Sequence, residues 1–519
     1  NILDLFLTNR PSLINKVRIE PGLSDHDVVY VESNVRPVKI KPVPRKIHLW
    51  RKGDIDQLKA SAEIMTENCL KRFTTSSPVN EIWVYIKSRL HQMEDECIPS
   101  KLTSTKYHQP WLNKKVKTLG HRKKRWWKKS KTSAYAKQIY SQIKIASRQE
   151  CRKAMNNYLN NMFSEEEGGQ KRFWRYIKSR KQEATGVAPL KNSIGITKSD
   201  SVEKAELLNA QFSSVFSKRG KHQLPTVNWQ FSSSRPVIFS KEGIKNLLKK
   251  LKEHKAAGPD EITTKLLKTL ASELAPALEL LYQATMKQGH IPDDWRHAKV
   301  APIYKKGDRS FPENYRPVSL TSVLCKTAEH IVTSHIHQHL DKYNILTNAQ
   351  HGFRKYRSTD TQLMLTLQDL HRVIEHKGQT DLIQLDFSKA FDKVPHDLLL
   401  HKLTFYGLET NTTKWISAFL SSRSQEVMVE GKSSLRAEVT SGVPQGSVLG
   451  PLLFLLFIND LPNYLQEEST VRLFADDAVL YRQINSDTDA TLLQQDLDSL
   501  LQWENDWGMS FHPSKCQVM

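Results

Sequence analysis

Cysteine is scarce and scattered, with five residues in 519 at positions 69, 97, 151, 325 and 516 and no C-x-x-C pair. That pattern excludes a disulfide framework and a Cys-rich zinc module, and it predicts a reducing compartment. Long apolar runs are missing too. The longest, Pro451 to Ile458, falls far short of the roughly 18 to 20 residues that span a bilayer, and no charged-then-apolar leader opens the chain. The expectation is a soluble protein without membrane partners. Acidic residues are in deficit: 55 Asp and Glu against 77 Lys and Arg leave a net charge of +22. Such an excess calls for a polyanionic partner. A 39% hydrophobic content excludes disorder throughout, and the length predicts roughly three or four domains. The chain opens on Asn1 and stops at Met519 after a polar Pro-Ser-Lys-Cys stretch, so both ends read as cut from something longer.

The positive charge is concentrated. Between Lys101 and Lys181 there are 23 Lys and Arg and four acids, a local balance of +19, which leaves +3 for everything else. Its densest part is HRKKRWWKKSK at 121 to 131, interrupted by Trp126 and Trp127, and aromatics recur at Tyr135, Tyr140, Tyr158, Phe173, Trp174 and Tyr176. Cations neutralise phosphates and release counterions, while rings stack on unpaired bases whatever their sequence. An exposed helix with inward tryptophans, or a nuclear localisation signal, would use the same residues.

Organisation follows from composition. Residues 1 to 35 alternate strand-like runs (ILDLFL, VVYV) with turns and end at the proline-studded 36 to 46. Residues 36 to 180 read as a basic, mostly helical nucleic-acid-binding segment, and 181 to 238 as a polar linker. Residues 239 to 519 hold the main core, an α+β region of mixed strands and helices with carboxylates at strand ends. There, Leu382 to Phe387 is a strand followed by a helix from about Ser388. EVMVE at 426 to 430 and LRAEVT at 435 to 440 flank a hairpin turn. Val471 to Phe474 and Ala478 to Tyr481 form a second hairpin around Asp476-Asp477.

Two adjacent acids at a tight turn repel unless a cation joins them, and such a pair suits Mg²⁺, which prefers hard oxygen ligands. Asp386, at the end of a separate strand, could complete the cluster. Three carboxylates can hold two ions about 3.5 to 4 Å apart. An Asp-Asp pair alone is weak: Asp293-Asp294 follows a proline with no strand beside it and reads as a helix start. The bend Ser441-Gly442-Val443-Pro444-Gln445-Gly446-Ser447 lies between a strand and the apolar helix at about 448 to 459, where backbone can approach a ligand closely. The run HIHQH at 335 to 339 lacks acidic or Cys partners and reads as exposed helix rather than zinc site.

In order, DFSKAFD (386 to 392), SGVPQGS (441 to 447) and FADD (474 to 477) resemble the palm motifs of reverse transcriptases, in detail those of non-LTR (LINE-type) retrotransposons. AAGPDEI (256 to 262), PDDWRHAKVAPIYKKGD (292 to 308), NYRPVSL (314 to 320) and HGFRKYRST (351 to 359) resemble the finger motifs of the same family. The resemblance covers about 240 to 519 and implies right-hand polymerase fingers and palm. The family's thumb would lie beyond residue 519, so the expected fold lacks it. The implied activity is RNA-directed DNA synthesis on an RNA template from a DNA primer, the nicked target DNA, with dNTPs. Asp386, Asp476 and Asp477 would hold two Mg²⁺ ions, with Mn²⁺ as a substitute. Phe391 would be the gate against a ribose 2′-OH, and Phe387 would join it at the substrate. Gln445 and Gly446 would line the nascent base pair, Lys305 and Arg316 would hold the triphosphate, and Lys515 would protonate pyrophosphate. The resemblance implies work in the nucleus, with a cytoplasmic ribonucleoprotein stage.

At the other end, LDLFLTN (3 to 9) and Ser24-Asp25-His26 resemble the last motifs of an apurinic-endonuclease-like (endonuclease/exonuclease/phosphatase) domain, His26 being the base that Asp25 orients. The metal-binding acids of that nuclease are absent, so this remnant is expected not to cut DNA. Two other functions use the same residues: a catalytically silent relic that binds RNA through 101 to 181, and a host-adopted, telomerase-like nucleotidyltransferase.

Overall fold

The computed structural model describes residues 8, 10–20, 28–34, 44, 46–103, 111–163, 174, 177, 186–217 and 223–519. Asp25, His26 and the 3 to 9 run, apart from Thr8, lie outside them. The chain divides into two units, 1–46 with 102–158 and 47–101 with 159–519.

In the first unit β1 (Ile14–Glu20) and β2 (Val28–Ser33) form an antiparallel hairpin. Arg18 stands opposite Tyr30 with its guanidinium 4.4 Å from the ring centre. The unit also holds the helix Lys114–Lys129 and, up to Tyr158, the helix Ala134–Phe163. Asn113 starts the first of these by accepting the Val116 N–H, which satisfies one orphan donor of the first turn. Val116, Ala136 and Ile143 turn inward, Lys115 reaches Glu150 at 3.1 Å, and most of the other cations stay in solvent.

The second unit begins with the helices Ile55–Arg72 and Val79–Cys97. Leu58, Ala62, Met65 and Cys69 on one, and Ile82, Trp83, Ile86 and Leu90 on the other, recur at helical spacing and join the core that contains Leu274, Leu278 and Leu281 of the helix Ala271–Gln288. Trp83 packs edge-on to Trp295 at 5.5 Å. These helices therefore belong to the large unit, not to one basic segment over 36 to 180. Most of their charges sit on the outer face, with Glu94 the buried exception.

Two sheets organise the rest. The strands are β3 (His297–Tyr304), β4 (Tyr315–Leu320), β5 (Gln379–Asp386), β6 (Arg423–Val429), β7 (Lys432–Ser433), β8 (Ala437–Val439), β9 (Thr470–Phe474), β10 (Asp477–Ile484) and β11 (Gln517–Val518). The first sheet runs β7-β6-β3-β4, with β8 also on β6, and β6 lies parallel to β3. The second runs β9-β10-β5-β11, antiparallel throughout. The helix Ser201–Ser213, capped by Asp200, covers the first sheet with Ala205, Leu208 and Phe212 against Val300 and Val427. Residues 181 to 238 are thus not simply a linker, because three apolar positions one turn apart suffice to dock a helix in a polar stretch. The apolar helix Gly450–Ile458 is buried from Leu452 to Ile458, which is where its leucines belong in a packed core. Among the described residues no helix is long and apolar enough to cross a membrane.

Candidate active site

The carboxylates come together through strand register. Antiparallel pairing of β5 with β10 sets Asp386 directly opposite Asp477, so both side chains leave the same face of the sheet. Phe474 opposite Asp477 closes the β9–β10 hairpin and leaves Ala475 and Asp476 as its two-residue turn. The expectation put both acids on the turn; instead Asp476 is on it and Asp477 heads β10. Burial raises the Asp477 carboxyl above its usual range, repulsion from Asp476 and Asp386 adds to that, and Lys305 and Lys515 oppose it.

Cations face this cluster. The turn Pro513–Lys515 and edge strand β11 carry Lys515 onto β5, where its Nζ lies 2.5 Å from Asp386 Oδ2. Lys305 follows β3 and Arg316 lies on β4 opposite Ile303. Burial lowers the Lys305 pKa, and so do the nearby charges of Arg316, Lys515 and Lys306, against the pull of Asp386. These five predicted residues thus form one electrostatic group with Asp476.

The oxygen-only donors suit a hard divalent cation, and the mutual repulsion that raises Asp477 is what such a cation would relieve. Among the described residues, no three His, Cys, Asp or Glu side chains stand close enough together to hold a metal.

Phe391 and the Gln445 bend complete the surroundings. Phe391 is half-buried, stacked on Phe454 at 4.4 Å and edge-on to Phe353 at 6.1 Å. Gly442 has φ 84°, and a Cβ there would meet the Phe391 and Asp392 carbonyl oxygens at 2.6 Å, so only glycine lets the bend lie against this segment. Gln445 accepts the Ser319 N–H through its carbonyl and donates from Nε2 to Asp392 Oδ1 at 2.9 Å. Phe387 does not line the site with its ring. It is 2% exposed, stacked on Phe511 at 4.4 Å, because the residue after Asp386 in an extended chain points to the opposite face.

Sequence reasoning missed Asp392, whose carboxyl burial pushes up to about 6 while the Gln445 bond opposes the rise. Its signal was the second acid of DFSKAFD. Of the three histidines expected on an exposed helix face, all lie on the helix Val323–Lys342, but His339 is buried and bonded to the Tyr406 carbonyl at 2.7 Å, while the partly exposed His335 bonds that of Arg235 at 2.6 Å.

The paired strand-end acids and their ring of cations occupy a chain segment that matches a known family. Residues 303–519 match the model of reverse transcriptases (RNA-dependent DNA polymerases). The curated proteins similar to this chain are named as RNA-directed DNA polymerases or Pol polyproteins of mobile elements. It is 28% identical over 359 residues to the RNA-directed DNA polymerase from mobile element jockey of Drosophila melanogaster, covering 66% of this chain and 39% of that protein. It is 28% identical over 364 residues, with the same coverage of both chains, to the probable RNA-directed DNA polymerase from transposon BS of the same fly. A retrovirus-related Pol polyprotein from retrotransposable element R2 of Popillia japonica is 27% identical over 210 residues, 38% of this chain and 29% of that protein. The chain thus spans well under half the length of these relatives.

Proposed function

We propose that the chain is an RNA-directed DNA polymerase of a non-LTR retrotransposon, extending a DNA 3′-OH on an RNA template with dNTPs. The observation that carries this reading is the cross-strand pair Asp386 and Asp477, with Asp476 on the adjoining turn, inside the segment that matches reverse transcriptases. Asp386, Asp476 and Asp477 would hold two Mg²⁺ ions, or Mn²⁺ in their place. Bound there, the ions would activate the attacking 3′-OH and stabilise the leaving pyrophosphate. Lys305 and Arg316 would hold the triphosphate and offset charge developing at phosphorus. Lys515 would release Asp386 on metal binding and stand ready to protonate pyrophosphate. Phe391, fixed by Phe454, would fill the space of a 2′-OH and select deoxynucleotides. Gln445, oriented by Asp392, would pack against the nascent pair beside Gly446.

In this reading residues 239 to 519 are fingers and palm, the nicked target DNA supplies the primer, and the work is done in the nucleus after a cytoplasmic ribonucleoprotein stage. The helix Lys114–Lys129 would grip RNA, supported by its exposed cations and by Trp127, which is 48% exposed. Primer extension on an RNA template with dNTPs and Mg²⁺ tests the central claim. Extension by the chain and its loss in Asp476→Asn are expected. Equal extension by both would place the chemistry elsewhere.

A further inference from the structure

The turn that presents Asp476 is not held by its own hairpin alone. Ala475 sits at φ 55°, a left-handed conformation that an L-residue with a Cβ adopts only when its surroundings impose it. Two-residue hairpin turns that need positive φ normally place glycine or asparagine there. What imposes the conformation comes from outside the sheet, in the segment Ala349–Phe353.

Four hydrogen bonds join that segment to the turn, the longest from Gln350 Nε2 to the Ala475 carbonyl at 3.5 Å. The Leu473 N–H donates to the Ala349 carbonyl at 2.9 Å, and the His351 N–H donates to the Leu473 carbonyl at 2.8 Å. Gln350 is 2% exposed, and its Oε1 accepts the Ala475 N–H at 2.9 Å and the Gly352 N–H at 2.7 Å. Gly352 lies so close to the Ala475 amide that any Cβ there would collide with it. The Ala475 N–H has no partner in the ladder, since it belongs to the turn. Without Gln350 it would be a buried donor left unpaired at the one strained residue of the turn.

We propose that Gln350 is a positioning residue for the polymerase reaction. Its side-chain carbonyl locks the Ala475 turn, and through it the direction in which Asp476 and Asp477 leave the hairpin. The proposal rests on the polymerase reading, but the clamp itself can be measured without it. A displacement of about 1 Å at reacting groups costs on the order of a hundredfold in rate, so a loosened turn would be felt in turnover before substrate binding.

The experiment compares the chain with Gln350→Met, which keeps the shape and removes both the acceptor and the long Nε2 donor bond, and Gln350→Glu, which loses the amide donor but keeps the acceptor. Hydrogen exchange of the peptide covering 470 to 480 is followed by mass spectrometry, alongside primer-extension kinetics. Gln350→Met is expected to speed exchange in that peptide and to lower kcat between about ten- and a hundredfold, with KM for dNTP little changed. Gln350→Glu is expected to restore protection and most of the turnover. A general loss of protection across the large unit in Gln350→Met would mark a folding role and overturn the proposal, as would unchanged exchange at 470 to 480. So would a Gln350→Glu protein no better than Gln350→Met. Absence of extension by the parent chain would sink the polymerase reading, while the exchange comparison would still decide whether Gln350 clamps the turn.

Discussion

At the scale of single residues, Lys402 is a demanding group away from the carboxylate cluster. It is fully buried, its Nζ lies 2.5 Å from Asp460 Oδ1 and 3.6 Å from the centre of the Trp507 ring, and Phe457 and Trp503 stand at 4.8 and 5.3 Å. A cation in such a place is tolerable because the carboxylate and the ring faces replace water. Lys402→Met leaves Asp460 buried without its cation, with only the Trp503 indole N–H still donating to it, and should cost about 3 to 5 kcal/mol in chemical denaturation. Adding Asp460→Asn should recover much of that. Burial lowers the Lys402 pKa to about 8, with Asp460 opposing, against an ordinary 10.5. Between those values the unfolded chain holds the proton and the folded chain does not, so stability from this group rises with pH. The stability gap between parent and Lys402→Met should therefore widen from pH 8 to 10.5, and a gap that narrows would refute the assignment. Lys402 was not singled out from the sequence, although a lysine inside the apolar run LLLHKLTF is a signal. The carboxylate cluster of Asp386, Asp476 and Asp477 was legible because strand patterns and three ordered motifs marked it together, whereas Gln350 meets Ala475 across 125 residues in a contact that no local pattern encodes.

At the scale of elements, the amino-terminal helices of the large unit carry weight that their charge conceals. Trp83 is 1% exposed, donates its indole N–H to Asp294 Oδ2 at 2.9 Å and meets Trp295 edge-on. Trp83→Ala should destabilise the unit by about 3 to 5 kcal/mol, whereas Trp127→Ala, at an exposed position, should change stability by no more than about 0.5 kcal/mol. Equal effects in a denaturation series would show that the helix Val79–Cys97 is not part of that core. Hairpins were legible because Gly431 and the Asp476 turn punctuate alternating strands. The Ser201–Ser213 helix was not, since Ser, Glu, Lys and Asn outnumber its three docking residues. The parallel pairing of β6 with β3 was equally hidden, because strand pairing across more than a hundred residues leaves no mark on either strand.

For the whole molecule, the net charge of +22 gives the proposed RNA contact a measurable salt dependence. If the helix Lys114–Lys129 grips RNA, replacing Arg122, Lys124 and Arg125 by alanine should weaken binding most at low salt. It should also flatten the plot of log affinity against log salt by about 0.7 for each phosphate no longer neutralised. Trp127→Ala should cost about 1 to 3 kcal/mol of affinity with no change in that slope. Fluorescence anisotropy across a salt series separates the two effects, and an unchanged slope in the triple variant would remove this helix from the interface. The same architecture has a consequence for how the protein is made. Ile82, Trp83 and Ile86 leave the ribosome well over a hundred residues before the helix Ala271–Gln288 that helps bury them. At roughly 5 to 20 residues per second, that apolar face waits on the order of ten seconds or more for its cover. Asp386 waits likewise for Asp477. Biogenesis thus passes through a nascent chain whose amphipathic helices are exposed before the Asp386–Asp477 pair exists, a state in which chaperone holding and translation speed bear directly on yield.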